Sequence, residues 1–495
     1  MRKRDFLARS AAAFAAMPQA GIAAKGRKRQ LNLLFITVDD MNWSLPGFMG
    51  GTQDLTPNLD RLARRSHLFV NNRAAAPICQ PSRQAMMCGL KPHHSGGIGF
   101  VPINEGIPTL TTVLREHGYF TSCIHKLEHM QPASCFPWDM KVPGKDRNPE
   151  VYDRALREAM SKAAEANKPF YINCNLNDPH RPFYGSPQAA ELDHGEQGPY
   201  KVPREIKAEQ VTVPVCLEDL PEVRKELAQY WNNAQRLDIT IGRILQALDE
   251  SGQRDSTVIL FTSDHGMPFP FAKATCWDAG TRTPFLIAWP GMGTPSVFED
   301  LTSNVDLLPT LLDILSMPKP RTLDGYSLLP RMEGRGGAQR RFVTTEVNTT
   351  VTGMAYPSRA VQDERYALVF SPWSDGKLEL KVDGMLGLSY PAMSKAAKGN
   401  PALSRRLDEY VLGVPLGFYD LKLDPGQRNN LVKAPEHRDR IATMAQALVE
   451  EMKRTGDPQL DNVLALLAGK PTHVPQEPER WRSKAYGGSN DTIKR

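Results

Sequence analysis

The feature that most constrains the fold is a set of near-continuous apolar runs, each ending in a polar cluster. Residues 31–38 (Leu31-Asn32-Leu33-Leu34-Phe35-Ile36-Thr37-Val38) show almost no polar alternation and end in Asp39-Asp40. A strand of this kind must be covered on both faces, as strands of parallel sheets are. Residues 119–124 end in His125-Lys126-Leu127-Glu128-His129, and residues 170–176 end in Asn177-Asp178-Pro179-His180. Residues 257–262 end in Ser263-Asp264-His265-Gly266. Between these runs lie stretches of helical period. One starts at Pro57 with Thr56 as its cap and buries Leu59, Leu62 and Ala63; a second covers residues 109–117. A third, from about residue 221 to 251, aligns Leu237, Ile241, Ile244, Leu245 and Leu248 on one face. The alternation predicts an α/β fold with a doubly wound, mostly parallel sheet. Ligands of such sheets bind at the carboxyl ends of the strands, so the polar clusters are expected to converge.

Two adjacent carboxylates delivered by one strand repel each other unless a cation sits between them, which marks Asp39-Asp40 as candidate metal ligands. Residues 77–89 read as a loop turning into a short helix: Pro81 and Ser82 suit a first turn and Gly89 suits the stop. Cys79 then lies beside a helix N-terminus, where unpaired N–H groups favour an anion, and Arg83 one turn later can reach back toward it.

Composition narrows the class. A chain of 495 residues suggests a large core plus a smaller unit. Its net charge of +6 is partly a leader effect, since Arg2, Lys3, Arg4 and Arg9 face only Asp5 in residues 1–24. No basic run interleaved with aromatics appears, so nucleic acid is not an expected partner. Residues 1–24 read as a cleaved export signal, with Lys-Arg-Asp-Phe-Leu similar to a twin-arginine motif and a following apolar run too short to span a bilayer. That predicts a periplasmic or secreted protein without stable membrane insertion. The seven cysteines contain no Cys-x-x-Cys pair, so neither a disulfide framework nor a zinc knuckle is expected. From about residue 356 the texture changes to short strand-like pieces (366–371, 377–382, 417–421) and helical stretches at 394–409 and 436–453. A catalytic domain over 25–355, a smaller C-terminal α+β subdomain over 356–470 and an extended tail over 471–495 are predicted.

The pattern Cys79-x-Pro81-Ser82-Arg83 followed by a helix and Gly89 resembles the signature of the type I sulfatases. From Leu31 to about Leu431 the landmarks follow the same order and spacing. They are Asp39-Asp40, Thr56-Pro57-Asn58-Leu59-Asp60, Cys79 to Arg83, Lys126 with His129, His180, Ser263-Asp264-His265-Gly266, Lys273 and Tyr419-Asp420-Leu421. The resemblance implies an alkaline-phosphatase-like fold. It also implies conversion of Cys79 to formylglycine by a formylglycine-generating enzyme, and a calcium or other divalent ion held by Asp39, Asp40, Asp264, His265 and residue 79. It implies sulfate-binding roles for Lys126 and Lys273, with His129 and His180 near the nucleophile and the leaving group and Arg83 beside them. Two departures stand out. His265 occupies a position that is often Asn, and imidazole is a poorer partner for a hard cation. The usual Gly-Lys-x-His is here His125-Lys126-Leu127-Glu128-His129, which leaves His125 and His129 as competing choices.

Asn177-Asp178-Pro179-His180-Arg181, Gly266-Met267-Pro268-Phe269-Pro270 and Met354-Ala355-Tyr356-Pro357-Ser358-Arg359 resemble the heparan N-sulfatase (sulfamidase) branch. The expected activity is hydrolysis of a sulfate ester or sulfamate on a sulfated saccharide. The alternatives are an O-sulfatase acting on other sugars or aryl sulfates, a phosphomonoester or phosphonate hydrolase, and a non-catalytic sulfated-glycan binder if Cys79 stays a thiol. Arg359 and Glu346 could meet a sugar's ionic or hydroxyl groups but are read as structural or solvated.

Overall fold

The computed structural model describes residues 30–192 and 201–474; residues 1–24, expected to be an export signal, and residues 475–495 of the expected tail lie outside them. Eight strands form the main sheet: β1 (Asn32–Asp39), β2 (His67–Arg73), β3 (Phe120–Ile124), β4 (Met140–Val142), β5 (Phe170–Pro179), β6 (Thr257–Ser263), β7 (Arg282–Ala288) and β8 (Val297–Ser303). Their order is β4-β3-β5-β1-β6-β7-β2-β8. All pairings are parallel except those of β7, which runs against both neighbours. β1 sits between β5 and β6 and is buried along its whole length. Leu34, Ile36 and Val38 enter one core layer while Leu33 and Phe35 enter the other, the period-two split that a strand imposes. Each such side chain contributes about 1.5–3 kcal/mol on full burial, so the run is stable only inside a sandwich of helices.

The helix Pro221–Glu250 covers one face with Leu237, Ile241, Ile244 and Leu248 fully buried. The helix Pro57–Ala63 buries Leu59, Leu62 and Ala63, but Thr56 does not cap it. The Thr56 hydroxyl instead accepts from Gly47 N at 3.1 Å. Asp238 of the long helix serves as the cap, accepting from Asn58 N at 3.0 Å and Leu59 N at 2.9 Å. A partner distant in sequence has displaced the local one, which is why the local pattern misleads there.

A second, antiparallel sheet has the order β12-β11-β10-β9, with β9 (Val343–Thr349), β10 (Ala355–Gln362), β11 (Tyr366–Phe370) and β12 (Leu416–Asp420). It begins at Val343, so residue 356 falls inside a strand. Residues 377–382 are not a strand; they run irregularly into a 3-10 turn, Asp383–Met385. The helical stretch at 394–409 is two helices, Ser389–Ala397 and Pro401–Val411, with Asn400 capping the second. Pro401, which disfavours helix in the residue before it, sets that break. All seven cysteines are free and buried. Among the described residues no helix is long and apolar enough to cross a membrane.

Candidate active site

The carboxyl ends of β1, β3, β5 and β6 meet above the sheet, and the helix Cys79–Cys88 points its N-terminus into the same spot. Cys79 is the first residue of that helix and Gly89, at φ 67, ends it. Ligand atoms of Asp39, Cys79, Asp264 and His265 all lie within 4.8 Å of one another, as do those of Asp40, Cys79 and His180. Asp39, Asp40, Asp264 and His265 are wholly buried. Asp40 adopts φ 69 and Lys126 φ 53, left-handed conformations that cost about 1–3 kcal/mol each and persist where surrounding contacts enforce them. For Asp40 those contacts are visible: its N–H donates to Asp264 Oδ1 at 3.1 Å and its carbonyl accepts from Tyr230 Oη at 2.8 Å. Gly266 is required beside His265, because a Cβ there would come within 1.9 Å of the Ala279 carbonyl oxygen.

Three cations press on these carboxylates. Arg83 donates from Nε to Asp264 Oδ2 at 3.1 Å and from Nη1 to Thr37 Oγ1 and Asn175 Oδ1 at 2.7 and 2.8 Å, with Nη2 3.6 Å from Asp39. Lys126 Nζ contacts Asp39 Oδ2 directly. Lys273 Nζ lies 2.8 Å from Asp40 Oδ1 and 2.7 Å from Asp383 Oδ2. The electrostatics follow. Burial raises the Asp39 carboxyl, but Lys126, His180 and Arg83 outweigh it and hold it well below the usual range. Burial lifts Asp40 to about 7, with Lys273 opposing and Asp39 adding. Burial and the Asp39 charge push Asp264 up as well.

His265 is pushed down to about 3 by burial and then by Lys273, so its ring is neutral. Its Nδ1 donates to the Gly266 carbonyl at 3.0 Å, which leaves the Nε2 lone pair facing Cys79 Sγ at 3.3 Å and Asp40 Oδ1 at 3.4 Å. Burial and then Asp39 drive the Cys79 thiol well above its normal value. A cysteine nucleophile needs the opposite environment.

These residues fit a divalent cation. Both oxygens of Asp39 and Oδ1 of Asp40 are buried and make no well-aligned hydrogen bond, although Lys126 and Lys273 lie in ion-pair contact with Asp39 Oδ2 and Asp40 Oδ1. Four carboxylates (Asp39, Asp40, Asp264, Asp383) face three cations (Arg83, Lys126, Lys273), so the fully ionised cluster carries one net negative charge. Such a cluster repels an anion, whereas two added positive charges reverse its sign. The oxygen-rich donors suit a hard ion, and His265 Nε2 adds one softer ligand position.

A cavity of 960 Å³ opens over the cluster, lined by Cys79, Lys126, His129, His180 and Lys273. His129 stands in that wall with Phe100 edge-on at 5.8 Å, and burial followed by Lys126 holds its pKa well down. His125 does not line the cavity; it packs edge-on against Tyr152 at 5.0 Å. His180 donates from Nδ1 to the Arg181 carbonyl, so Nε2 faces inward, 3.7 Å from Asp40. Its pKa is lowered to about 3 by burial and then by Lys273. Asp178 anchors the same loop through Arg147 at 2.6 Å and Arg236 at 2.6 Å, while Asn233 donates to the carbonyls of Pro179, His180 and Pro182. Arg147, Arg236, Asn233 and Asp383 escaped the sequence reading, because each lies outside any strand-end cluster. Arg359 and Glu346 lie apart, in a buried network with Asp457 and His93.

The sulfatase family model matches residues 31–317, and the model of the C-terminal region of N-sulphoglucosamine sulphohydrolase matches residues 264–379. The chain belongs to the sulfatase family. Human N-sulphoglucosamine sulphohydrolase is 28% identical over 471 residues, covering 87% of this chain and 92% of the relative. An ulvan-active sulfatase of Formosa agariphila is 25% identical, covering 88% and 82%. Among solved structures, a 2-O glycosaminoglycan sulfatase superposes with a TM-score of 0.64 at 21% identity, covering 90% of this chain and 95% of that one. A phosphonate monoester hydrolase of Agrobacterium radiobacter shares the fold, with a TM-score of 0.64 at 17% identity, covering 86% and 96%.

Proposed function

We propose that this protein hydrolyses the N-sulfo group of glucosamine-containing saccharides, with residue 79 as formylglycine and a divalent cation, calcium in the first instance, at the strand tips. The observation that carries the reading is the pairing of a buried, strongly protonated Cys79 with wholly buried carboxylates around it. A thiol in that setting is inert, whereas an aldehyde hydrate in the same place would be activated by the ion. The similarity to human N-sulphoglucosamine sulphohydrolase along most of both chains supports the sulfamate over the ester.

Asp39, Asp40, Asp264 and His265 Nε2 would hold the cation, together with the oxygen that replaces Cys79 Sγ. When bound, that ion supplies Lewis-acid polarisation of the sulfuryl oxygens and lowers the pKa of the hydrate. Lys126 and Lys273 offset the charge of the sulfuryl group, and Arg83 fixes Asp39 and Asp264 in place. His180 faces the leaving atom from the loop after β5. It is neutral at rest, and a sulfuryl anion seated beside it favours its protonated form, the state that can give a proton to the departing nitrogen. His129, which also lines the cavity, orients the bound group. The signal-like residues 1–24 support export to the periplasm, and the formylglycine-generating enzyme of the host would be the maturation partner.

Peptide mass spectrometry of residue 79 tests the maturation: conversion replaces sulfur by oxygen and removes two hydrogens. Turnover of N-sulfated glucosamine against O-sulfated sugars, aryl sulfates and phosphonate esters tests the substrate. Cleavage of O-sulfates alone would overturn the sulfamate assignment and leave the sulfatase one intact.

A further inference from the structure

Asp383 belongs to no motif, yet it reaches the reacting end of the cavity. It opens the turn Asp383–Met385, supplied by the C-terminal part of the chain. The turn is fixed: Leu386 N donates to the Asp383 carbonyl at 2.9 Å, and Gly384 sits where a Cβ would come 3.0 Å from the Phe269 carbonyl oxygen. Oδ2 is 2.7 Å from Lys273 Nζ, and the side chain is 23% exposed, whereas Asp40 on the other side of the same ammonium is 0% exposed. Asp383 therefore lines the cavity together with His180 and Lys273, and Oδ1 has no hydrogen-bond partner among the described residues.

A carboxylate facing the seat of a sulfuryl anion is unfavourable by itself. Lys273 is also paired with Asp40, so Asp383 is not its only counter-ion, and one of the two Asp383 oxygens stays free for another donor. The placement is useful if the atom bonded to sulfur carries a hydrogen. An O-sulfate ester presents only lone pairs at that atom, which a carboxylate repels. A sulfamate presents N–H, which a carboxylate accepts.

We propose that Asp383 is a specificity-determining residue whose Oδ1 accepts a hydrogen bond from the sulfamate nitrogen and then from the amine released. This rests on the N-sulfo reading above. In the transfer the N–S bond breaks with its electron pair on nitrogen, and nitrogen takes a proton from His180. The sulfuryl group passes to a hydroxyl oxygen of the residue-79 hydrate, which forms the new S–O bond as its O–H proton leaves to water. The free amine then gains a proton from water to become an ammonium, for which Asp383 is the counter-ion within the cavity. A site built to satisfy a donor discriminates strongly against analogues that lack it.

The test uses the full-length, matured protein and the variants Asp383→Asn and Asp383→Glu. The readouts are kcat/KM for N-sulfated glucosamine and for glucosamine 6-O-sulfate, and competitive inhibition by glucosamine against N-acetylglucosamine. Hydrogen bonds to charged groups are worth about 1.5–3 kcal/mol, so Asp383→Asn should shift the N- over O-sulfate ratio by roughly ten- to a hundredfold. It should abolish the preference for glucosamine as inhibitor, and Asp383→Glu should restore part of both. Equal losses on both substrates, with glucosamine inhibition unchanged, would overturn the assignment and leave Asp383 a support for Lys273. A wild-type protein that cleaves only O-sulfates would overturn this assignment and the N-sulfo reading together, so the two failures are told apart by the wild type.

Discussion

Removing the divalent cation should make the stability of this protein rise as the pH falls, over a window set by Asp40. Its carboxyl is lifted from 3.8 to about 7, chiefly by burial, with Asp39 adding and Lys273 opposing. At about 1.4 kcal/mol per pKa unit, holding that carboxylate ionised in the cation-free fold costs roughly 4 kcal/mol. The folded chain takes up a proton near pH 7 that the unfolded chain binds only near 3.8. Stability of the cation-free form therefore increases between about pH 7 and pH 4 through this group, the reverse of ordinary acid denaturation. A bound cation must displace the same proton. Its apparent affinity should fall about tenfold for each unit below pH 7, and Asp264, also pushed up, steepens the fall. Isothermal titration of calcium into chelator-treated protein at pH 5, 6, 7 and 8 gives the affinities, and thermal melts with and without chelator give the stabilities. A dissociation constant unchanged from pH 5 to 7 would refute the claim that Asp40 ligates the ion.

Other substitutions separate roles within the cavity. His180→Ala should lower kcat on a saccharide substrate by about 10²–10⁴-fold but cost far less on p-nitrophenyl sulfate, whose leaving group needs no proton; steady-state kinetics on both decides. His129→Ala should impair catalysis, whereas His125→Ala should chiefly lower the melting temperature, because His125 packs on Tyr152 outside the cavity. Glu346→Gln should destabilise the fold by about 1–3 kcal/mol in urea titration, since it removes the buried carboxylate paired with His93 while Arg359 keeps Asp457. In the wild type Glu346 is held at about 2 by His93 and Arg359 against the opposing effect of burial, so its contribution is present above pH 4.5 and lost as the pH falls toward 2.

The sheet was legible where a strand is buried on both faces, because an unbroken apolar run such as Leu33 to Val38 has few other stable settings. The polar ends of β1, β3, β5 and β6 were legible for the same reason: charge abutting such a run must lie at the strand's tip. What escaped depends on distant partners. β2 (HLFVNNR) and β8 (VFEDLTS) are edge-region strands with mixed polarity, and β9 (VTTEVNT) alternates too weakly to stand out. Thr56 is an adequate cap by composition, but Asp238 arrives from 180 residues away and takes the role. His129 and His125 differ by one helical step in sequence, and only the cavity wall distinguishes them. Asp383 lacked any signal because it acts from an irregular turn, where residue type carries little information about position.

The charge balance at the strand tips has a consequence for which ion can serve. With all carboxylates ionised the cluster is one charge negative, and the sulfuryl group of a sulfamate or ester brings one more. A monovalent cation would leave the site neutral, with no net attraction for that anion; a divalent one leaves a single positive charge, which the substrate cancels. Potassium or sodium at a concentration high enough to occupy the site should then stabilise the fold by relieving Asp40 and Asp39, yet only remove the repulsion of a sulfate analogue rather than attract it. Calcium should both stabilise the fold and attract the analogue. Thermal melts report the first effect and competition by inorganic sulfate the second, measured at constant ionic strength so that screening does not imitate the loss. Equal sulfate affinity with monovalent and divalent ions would show that Lys126 and Lys273 alone bind the anion, and that the carboxylates at the strand tips serve only the fold.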